Sequence, residues 1–193
     1  MNKSELRKIY LAKRNSLTAA EQRRRSVQIC DRLFSTLDLS SVAYLHCFIS
    51  IAKFNEIHTG LIFERLWRDH PSINVLVPRV DMESGELQNL RFTPKSELIE
   101  AGWNIREPAS RELVPTDVVD VVLVPLLCFD RRGHRVGYGK GYYDRFLASC
   151  RGNCQKIGLS YFPPVDEIED TTSHDVRLDS CITPDEVLTI RES

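Results

Sequence analysis

Three features of the 193-residue chain predict an α/β fold. β-Branched apolar segments alternate with amphipathic helical ones. One of the apolar segments, Val118–Val124, reads VVDVVLV, the pattern of a strand covered on both faces. A glycine-rich stretch follows that strand, where parallel α/β sheets bind their ligands. The expected architecture is a mainly parallel central sheet flanked by helices, Rossmann-like and three-layered, in one domain spanning residues 1–193.

The elements follow in order. Leu6, Ile9, Tyr10, Lys13 and Leu17 recur at helical steps and place Lys3, Arg7 and Arg14 on one flank of a first helix. Thr18-Ala-Ala-Glu21 is a capping box that opens a second helix, with Val27, Cys30, Leu33 and Phe34 on its apolar face. Val42–Ser50 reads as a buried strand, and Thr59 caps a helix reaching about Arg68. Ile73–Val77 is the next strand, ended by Pro78, and Ser84-Gly85 turns into Leu87–Phe92. Residues 93–117, rich in Pro, Glu, Gly and Ser, read as loop with one helical turn. After Val118–Val124 come a helix at Tyr142–Cys150, a strand at Gln155–Tyr161 and a last short strand at Cys181–Thr183.

Composition removes whole classes. With 42% hydrophobic and 27% charged residues the chain can bury a core and is neither disordered nor collagen-like. No run of 18 apolar residues exists, and the start carries Glu5 and no apolar stretch, so no membrane partner and a cytoplasmic location are expected. Six cysteines lack the spacing of a zinc site and read as reduced thiols. Residues 1–25 hold eight basic side chains against Glu5 and Glu21, although the whole chain has a formal net charge of -1. That start is either a solvated helix face or an anion site.

The stretch VVLVPLLCFDRRGHRVGYGKGYYDRFL, residues 121–147, carries most of the chemistry. Gly137, Gly139 and Gly141 alternate, so backbone N–H groups can approach a ligand closely. A helix N-terminus follows, and Arg135 and Lys140 add full charge. This set suits a polyphosphate, yet it matches neither a P-loop nor a dinucleotide fingerprint in spacing. On the residues alone, a flexible structural connector stays open beside the phosphate loop.

GHRVGYGKGYYDRFL, with VPLLCFD before it, closely resembles the signature of the 5-formyltetrahydrofolate cyclo-ligases, or 5,10-methenyltetrahydrofolate synthetases. Lys3-x-x-x-Arg7 resembles that family's N-terminal basic pair, Asn55-Glu56-Ile57-His58-Thr59 its glutamate motif, and Asn104–Pro108 its mid-chain segment. Ser173-His174-Asp175 is similar to its late aspartate motif. The resemblance implies an ATP- and Mg²⁺-dependent ring closure of 5-formyltetrahydrofolate through a phosphorylated formyl group, releasing ADP and phosphate. Lys3 and Arg7 would then reach the ATP phosphates, and Arg135, Val136, Gly137, Tyr138, Gly139, Lys140, Gly141, Tyr142 and Tyr143 would wrap the nucleotide. Lys140 is the implied catalytic cation. Asp144 and Asp175 are the implied metal ligands, Ile51 and Glu56 the implied folate contacts, and Tyr142 an aromatic wall beside the folate.

Two departures from the family pattern stand out: Tyr138 occupies a position that varies and is often basic, and the segment from Ser160 to Pro164 lacks a glutamine common after that strand. Arg14, Arg23, Arg24 and Arg25 match no family motif and are expected at the surface; Trp67 and Trp103 are expected in or near the core. The partners expected are a folate and ATP, with no nucleic acid, acting on a monomer. The rival readings are a phosphate-ligand enzyme of similar fold and a nucleic-acid-binding module built on the Arg-rich start.

Overall fold

The structure, a computed structural model, describes residues 1–101 and 105–190. Two helices open it, α1 (Lys3–Asn15) and α2 (Ala19–Thr36), both closed at their N-termini by capping boxes, Asn2 with Glu5 and Thr18 with Glu21. Strand β1 (Tyr44–Cys47) leads through a 3-10 turn at Ala52–Phe54 to α3 (Gly60–Asp69) and β2 (Asn74–Val80). β3 (Leu87–Arg91), β4 (Leu98–Ala101), β5 (Ile105–Pro108) and β6 (Leu113–Val114) follow. The chain then enters β7 (Val121–Pro125), a small hairpin of β8 (Cys128–Phe129) and β9 (Arg135–Val136), and α4 (Tyr142–Ser149). It ends in β10 (Gln155–Leu159), β11 (Ser180–Ile182) and β12 (Val187–Thr189).

The main sheet has eight strands in the order β12-β11-β10-β7-β1-β2-β3-β6. Its centre, β11-β10-β7-β1-β2, is parallel throughout, and the antiparallel strands lie outside it. Parallel neighbours need crossovers, so helices cover both faces. α2 and α3 supply Ile29, Leu33, Ile62 and Leu66 to one core with Leu45, Val75 and Leu123. α4 supplies Phe146 and Leu147 to the opposite core with Leu76, Val122 and Val124. Successive residues of β7 thus point into different cores, which is why VVLV carries no polar face. α1 stands apart from both layers and packs Leu6 and Tyr10 on Leu127, Cys128 and Val136 of the β8–β9 hairpin.

Several expectations are corrected. Pro78 does not end β2; it pairs with Asn89 of β3. The carbonyl of Val75 accepts from Phe92 on the β3 side, so by alternation the Pro78 nitrogen faces β1, whose pairing has already stopped at Leu76. Residues 93–117 are not mainly loop: they hold the β4–β5 ribbon, β6 and a 3-10 turn at Thr116–Val118. The ribbon pairs only with itself, and Ile99 is 49% exposed, so burial imposes little apolar alternation there. Thr59 stands at the N-cap of α3, but its hydroxyl serves Ser50 and caps nothing. β12 was not foreseen. All six cysteines are free, and Trp67 packs beside Phe63 and Phe92. Trp103 and Asn104 lie outside the described residues. Among the described residues no helix is long and apolar enough to cross a membrane.

Leu123 sits fully buried in the middle of β7. Leu123→Ala is expected to cost about 2–5 kcal/mol through lost transfer energy and a residual cavity. Urea unfolding would read this as a lower midpoint at unchanged m-value.

Candidate active site

The chain leaves β1 towards β2 on one side, and β7 continues towards β10 on the other. The carboxyl ends of β1 and β7 therefore open a crevice at a topological switch point, where α/β sheets bind ligands. The segment after β1 and the long connection from β7 to α4 meet there.

The β1 side is a tightly tied loop. Ser50 Oγ donates to the Ile57 carbonyl at 2.5 Å, and Thr59 N–H donates to Ser50 Oγ at 2.8 Å. Asn55 is the one non-glycine residue with positive φ among the described residues, at 50°. Asn tolerates that left-handed turn better than most residues, and the turn brings Glu56 inward. Glu56 is only 5% exposed. Its Oε2 accepts from the Ile51 N–H at 2.8 Å and its Oε1 from the Tyr138 hydroxyl at 2.7 Å. Burial pushes the Glu56 carboxyl up, while these two bonds and the nearby Arg14 charge pull it back. The loop also rests on Tyr161, whose hydroxyl donates to the Glu56 carbonyl at 3.0 Å.

On the β7 side, Asp130 is fully buried and accepts from the N–H groups of Arg132 (2.9 Å) and His134 (3.0 Å), fixing the β8–β9 turn. The following loop is held open by glycine. Gly139 has φ of 89° and Gly141 of 67°, a region that L side chains rarely adopt. A Cβ on Gly139 would also lie 3.1 Å from the Arg7 guanidinium. Gly141 N-caps α4 without a side-chain bond, so the first N–H groups of that helix remain available to an anion. Lys140 stands exposed beside them.

α1 brings Lys3 and Arg7 to this edge. Arg7 Nε donates to the Gly137 carbonyl at 2.9 Å, and Lys3 Nζ pairs with Asp175 at 2.6 Å. The Lys3 pair and the Thr172 N–H hold the Asp175 carboxyl below its usual range despite some desolvation. Arg135 pairs with Asp144 at 2.7 Å and donates to the Val176 carbonyl. Asp144 and Asp175 thus converge, joined through Val176, whose N–H donates to Asp144 at 3.2 Å. Among the described residues no group of three or more metal-ligating side chains gathers. Two hard carboxylates remain, and they suit an ion that completes its shell with phosphate oxygens and waters, as Mg²⁺ does.

Some expected roles do not fit the geometry. Val136 is buried in the α1 core and its carbonyl accepts from the Leu127 N–H at 2.8 Å, so its side chain is closed to a ligand. Arg135 is buried and committed to Asp144, a lock more than a free phosphate hand. The Tyr143 hydroxyl points into the sheet, to His46 Nε2 at 3.2 Å. Tyr142 carries the Arg145 guanidinium over its ring at 5.4 Å, whereas the aromatic group on Glu56 is Tyr138, beside Phe54.

Of the arginines expected at the surface, Arg14 lies inside and Arg25 is half-buried. Arg14, 5% exposed, donates to the Leu126 carbonyl and to the Tyr138 hydroxyl, the latter at 2.9 Å. Arg25 donates to the Tyr161 carbonyl at 2.9 Å. The signal for Arg14 was its place on the Lys3–Arg7 flank of α1. Arg23 and Arg24 are exposed. A nucleic-acid reading of the basic start is weakened accordingly.

The family model for 5-formyltetrahydrofolate cyclo-ligases matches residues 1–184. The chain belongs to the 5-formyltetrahydrofolate cyclo-ligase family. Among curated family members, the mitochondrial enzyme of Arabidopsis thaliana is 32% identical over 76% of this chain and 61% of its own length. The Escherichia coli K12 cyclo-ligase is 28% identical over 91% of this chain and 96% of its own. The NMR structure of Aquifex aeolicus 5,10-methenyltetrahydrofolate synthetase superposes with a TM-score of 0.84 at 30% identity, covering 100% of this chain and 95% of the other. A synthetase of the same name from Mycoplasma pneumoniae gives 0.75 at 27% identity, covering 95% and 99%.

His46, beneath the cyclo-ligase motif, is expected to make folding stability depend on pH. It is fully buried, and a neutral ring that donates from Nδ1 to Asn89 (2.7 Å) and accepts from Tyr143 satisfies both nitrogens. Burial lowers its pKa from 6.5 to about 4. The unfolded chain binds this proton first, so the contribution is intact above about pH 6.5 and is lost as pH falls towards 4. The loss is expected to be about 3 kcal/mol, and His46→Gln should flatten it. Urea titrations of both proteins from pH 7 to 4 would check this.

Proposed function

We propose that the chain converts 5-formyltetrahydrofolate to 5,10-methenyltetrahydrofolate with cleavage of ATP to ADP and phosphate. The observation that carries this reading is the meeting, at one switch point, of a buried carboxylate on the β1 loop and a cationic glycine loop that opens α4. The carboxylate suits the N–H edge of a pterin and the loop suits a triphosphate. Lys3, Arg7, Arg135 and Lys140 against Asp144 and Asp175 leave two positive charges in excess, which favours a nucleotide phosphate chain.

The formyl oxygen attacks the γ-phosphorus and ADP leaves. N10 then attacks the formyl carbon and gives up its proton, and phosphate departs with the former formyl oxygen to leave the methenyl bridge. Little of this needs a protein base, so the side chains act by alignment and charge stabilisation. Glu56 accepts from the pterin N–H groups and fixes N5 and N10. Lys140, exposed at the start of α4, meets the charge that develops on the transferring phosphoryl group. Arg7 exchanges the Gly137 carbonyl for a phosphate oxygen, and Lys3 turns from Asp175 to the phosphate chain. Asp144 and Asp175 would hold Mg²⁺, whose bound form draws charge from the phosphates.

With 5-formyltetrahydrofolate, Mg²⁺ and ATP, the purified protein should develop the near-ultraviolet band of the methenyl product, and only with ATP present. Lys140→Ala should lower kcat by about 10²–10³-fold, as expected when a group that meets developing charge is removed. Lys3→Ala and Arg7→Ala should each raise the KM for ATP about tenfold, for the loss of one charged hydrogen bond. An unchanged ATP KM in either variant would remove that residue from the phosphate site.

A further inference from the structure

Glu56 is closed off by its own neighbours and only 5% exposed. Ile51 N–H occupies Oε2 and the Tyr138 hydroxyl occupies Oε1. The cavity beside it, lined by Arg14, Phe48, Glu56, Ile57, Leu126 and Leu159 among others, measures about 10 Å³. That is scarcely room for one water, far less for a pterin ring. A side chain must therefore move before Glu56 can bind a substrate.

The surrounding groups differ sharply in freedom. Phe48, Ile57, Leu126 and Leu159 belong to the core, and Arg14 is held by the Leu126 and Phe54 carbonyls. Tyr138 is 36% exposed and lies between Gly137 and Gly139, the latter in a left-handed conformation. It joins Glu56 to the nucleotide loop. Arg7 grips the same loop twice, by its bond to the Gly137 carbonyl and by lying over the bare face of Gly139. A phosphate that draws the Arg7 guanidinium away releases the backbone on both sides of Tyr138.

We propose that Tyr138 couples the two substrate seats: its hydroxyl holds the Glu56 oxygen and yields it to the folate when the nucleotide loop closes on ATP. This rests on the reading that Glu56 seats the folate and residues 137–141 the nucleotide. Arg14 already donates to the Tyr138 hydroxyl at 2.9 Å and lines the same cavity as Glu56, so its charge stays beside the carboxylate when the hydroxyl leaves. By linkage the coupling is reciprocal, so bound folate also strengthens nucleotide binding.

Calorimetric titration of 5-formyltetrahydrofolate into the full chain tests this, with and without a non-hydrolysable ATP analogue and Mg²⁺. In the wild type the analogue should tighten folate binding about tenfold, the worth of one hydrogen bond to a charged group. Tyr138→Phe keeps the ring beside Phe54 and loses the hydroxyl. It should bind folate about tenfold more tightly without nucleotide, and the analogue should then add little. Tyr138→Gly, on a loop already rich in glycine, should move both quantities the same way and guards against a folding fault in the Phe variant. Weaker folate binding by both variants, or coupling equal to that of the wild type, would overturn the proposal while leaving the folate site in place. No folate binding by the wild type under either condition, together with no methenyl band, would overturn the functional reading and this proposal with it.

Discussion

A strand with parallel neighbours on both edges cannot be joined to either by a hairpin, and β1 and β7 are both such strands. Each connection must cross a face of the sheet, so α3 covers one face and α4 the other. The residues of VVLV must then be apolar on both sides, and all the returning loops gather at the two ends of the strands. Because the chain diverges after β1 and β7, the loops at their carboxyl ends have no strand crossover packed between them. The crevice that holds Glu56 and the glycine loop follows from this pairing, and the remaining elements either line it or brace it.

α1 is the main brace. It contributes to neither face of the sheet, yet Leu6 and Tyr10 anchor it on the β8–β9 hairpin. That anchoring fixes which flank looks into the crevice, and the flank carries Lys3, Arg7 and Arg14. Burying the Arg14 guanidinium is costly unless its donors find acceptors; its two terminal nitrogens find two backbone carbonyls and the Tyr138 hydroxyl, while Nε finds none among the described residues. The same economy holds across the site, where Asp144 meets Arg135 and Asp175 meets Lys3. The charges that would serve substrates thus satisfy one another first, which keeps an otherwise unbalanced cluster compatible with a folded chain.

The fold was largely legible because its strongest signals coincide with its most constrained parts. A strand buried on both faces must read as a continuous apolar run, and the capping box at Thr18 is local chemistry that the tertiary structure had no reason to override. The failures came where burial is weak or geometry is non-local. The β4–β5 ribbon leaves Ile99 half exposed and shows no alternation to read. Pro78 is tolerated because of which edge its nitrogen faces, a fact of pairing that no single sequence segment contains. Arg14 looked like surface charge because its acceptors lie 40 or more residues away in the chain. Thr59 had the chemistry of a cap, and a closer partner, Ser50, took its hydroxyl.

The cyclo-ligase motif itself shows why a motif names a site more readily than it assigns roles. Within GHRVGYGKGYYDRFL, Val136, Phe146 and Leu147 are core residues, and Arg135 locks Asp144. Tyr143 is pinned to a buried histidine, and Gly139 and Gly141 supply backbone angles more than contacts. The exposed side chains of the string are Tyr138, Lys140 and Arg145. Most of the string is therefore the frame for a few exposed groups, and the frame is as specific in sequence as the groups it presents. A pattern of this kind marks a family because the arginine lock, the tyrosine anchor and the core residues together hold the ends of the glycine loop.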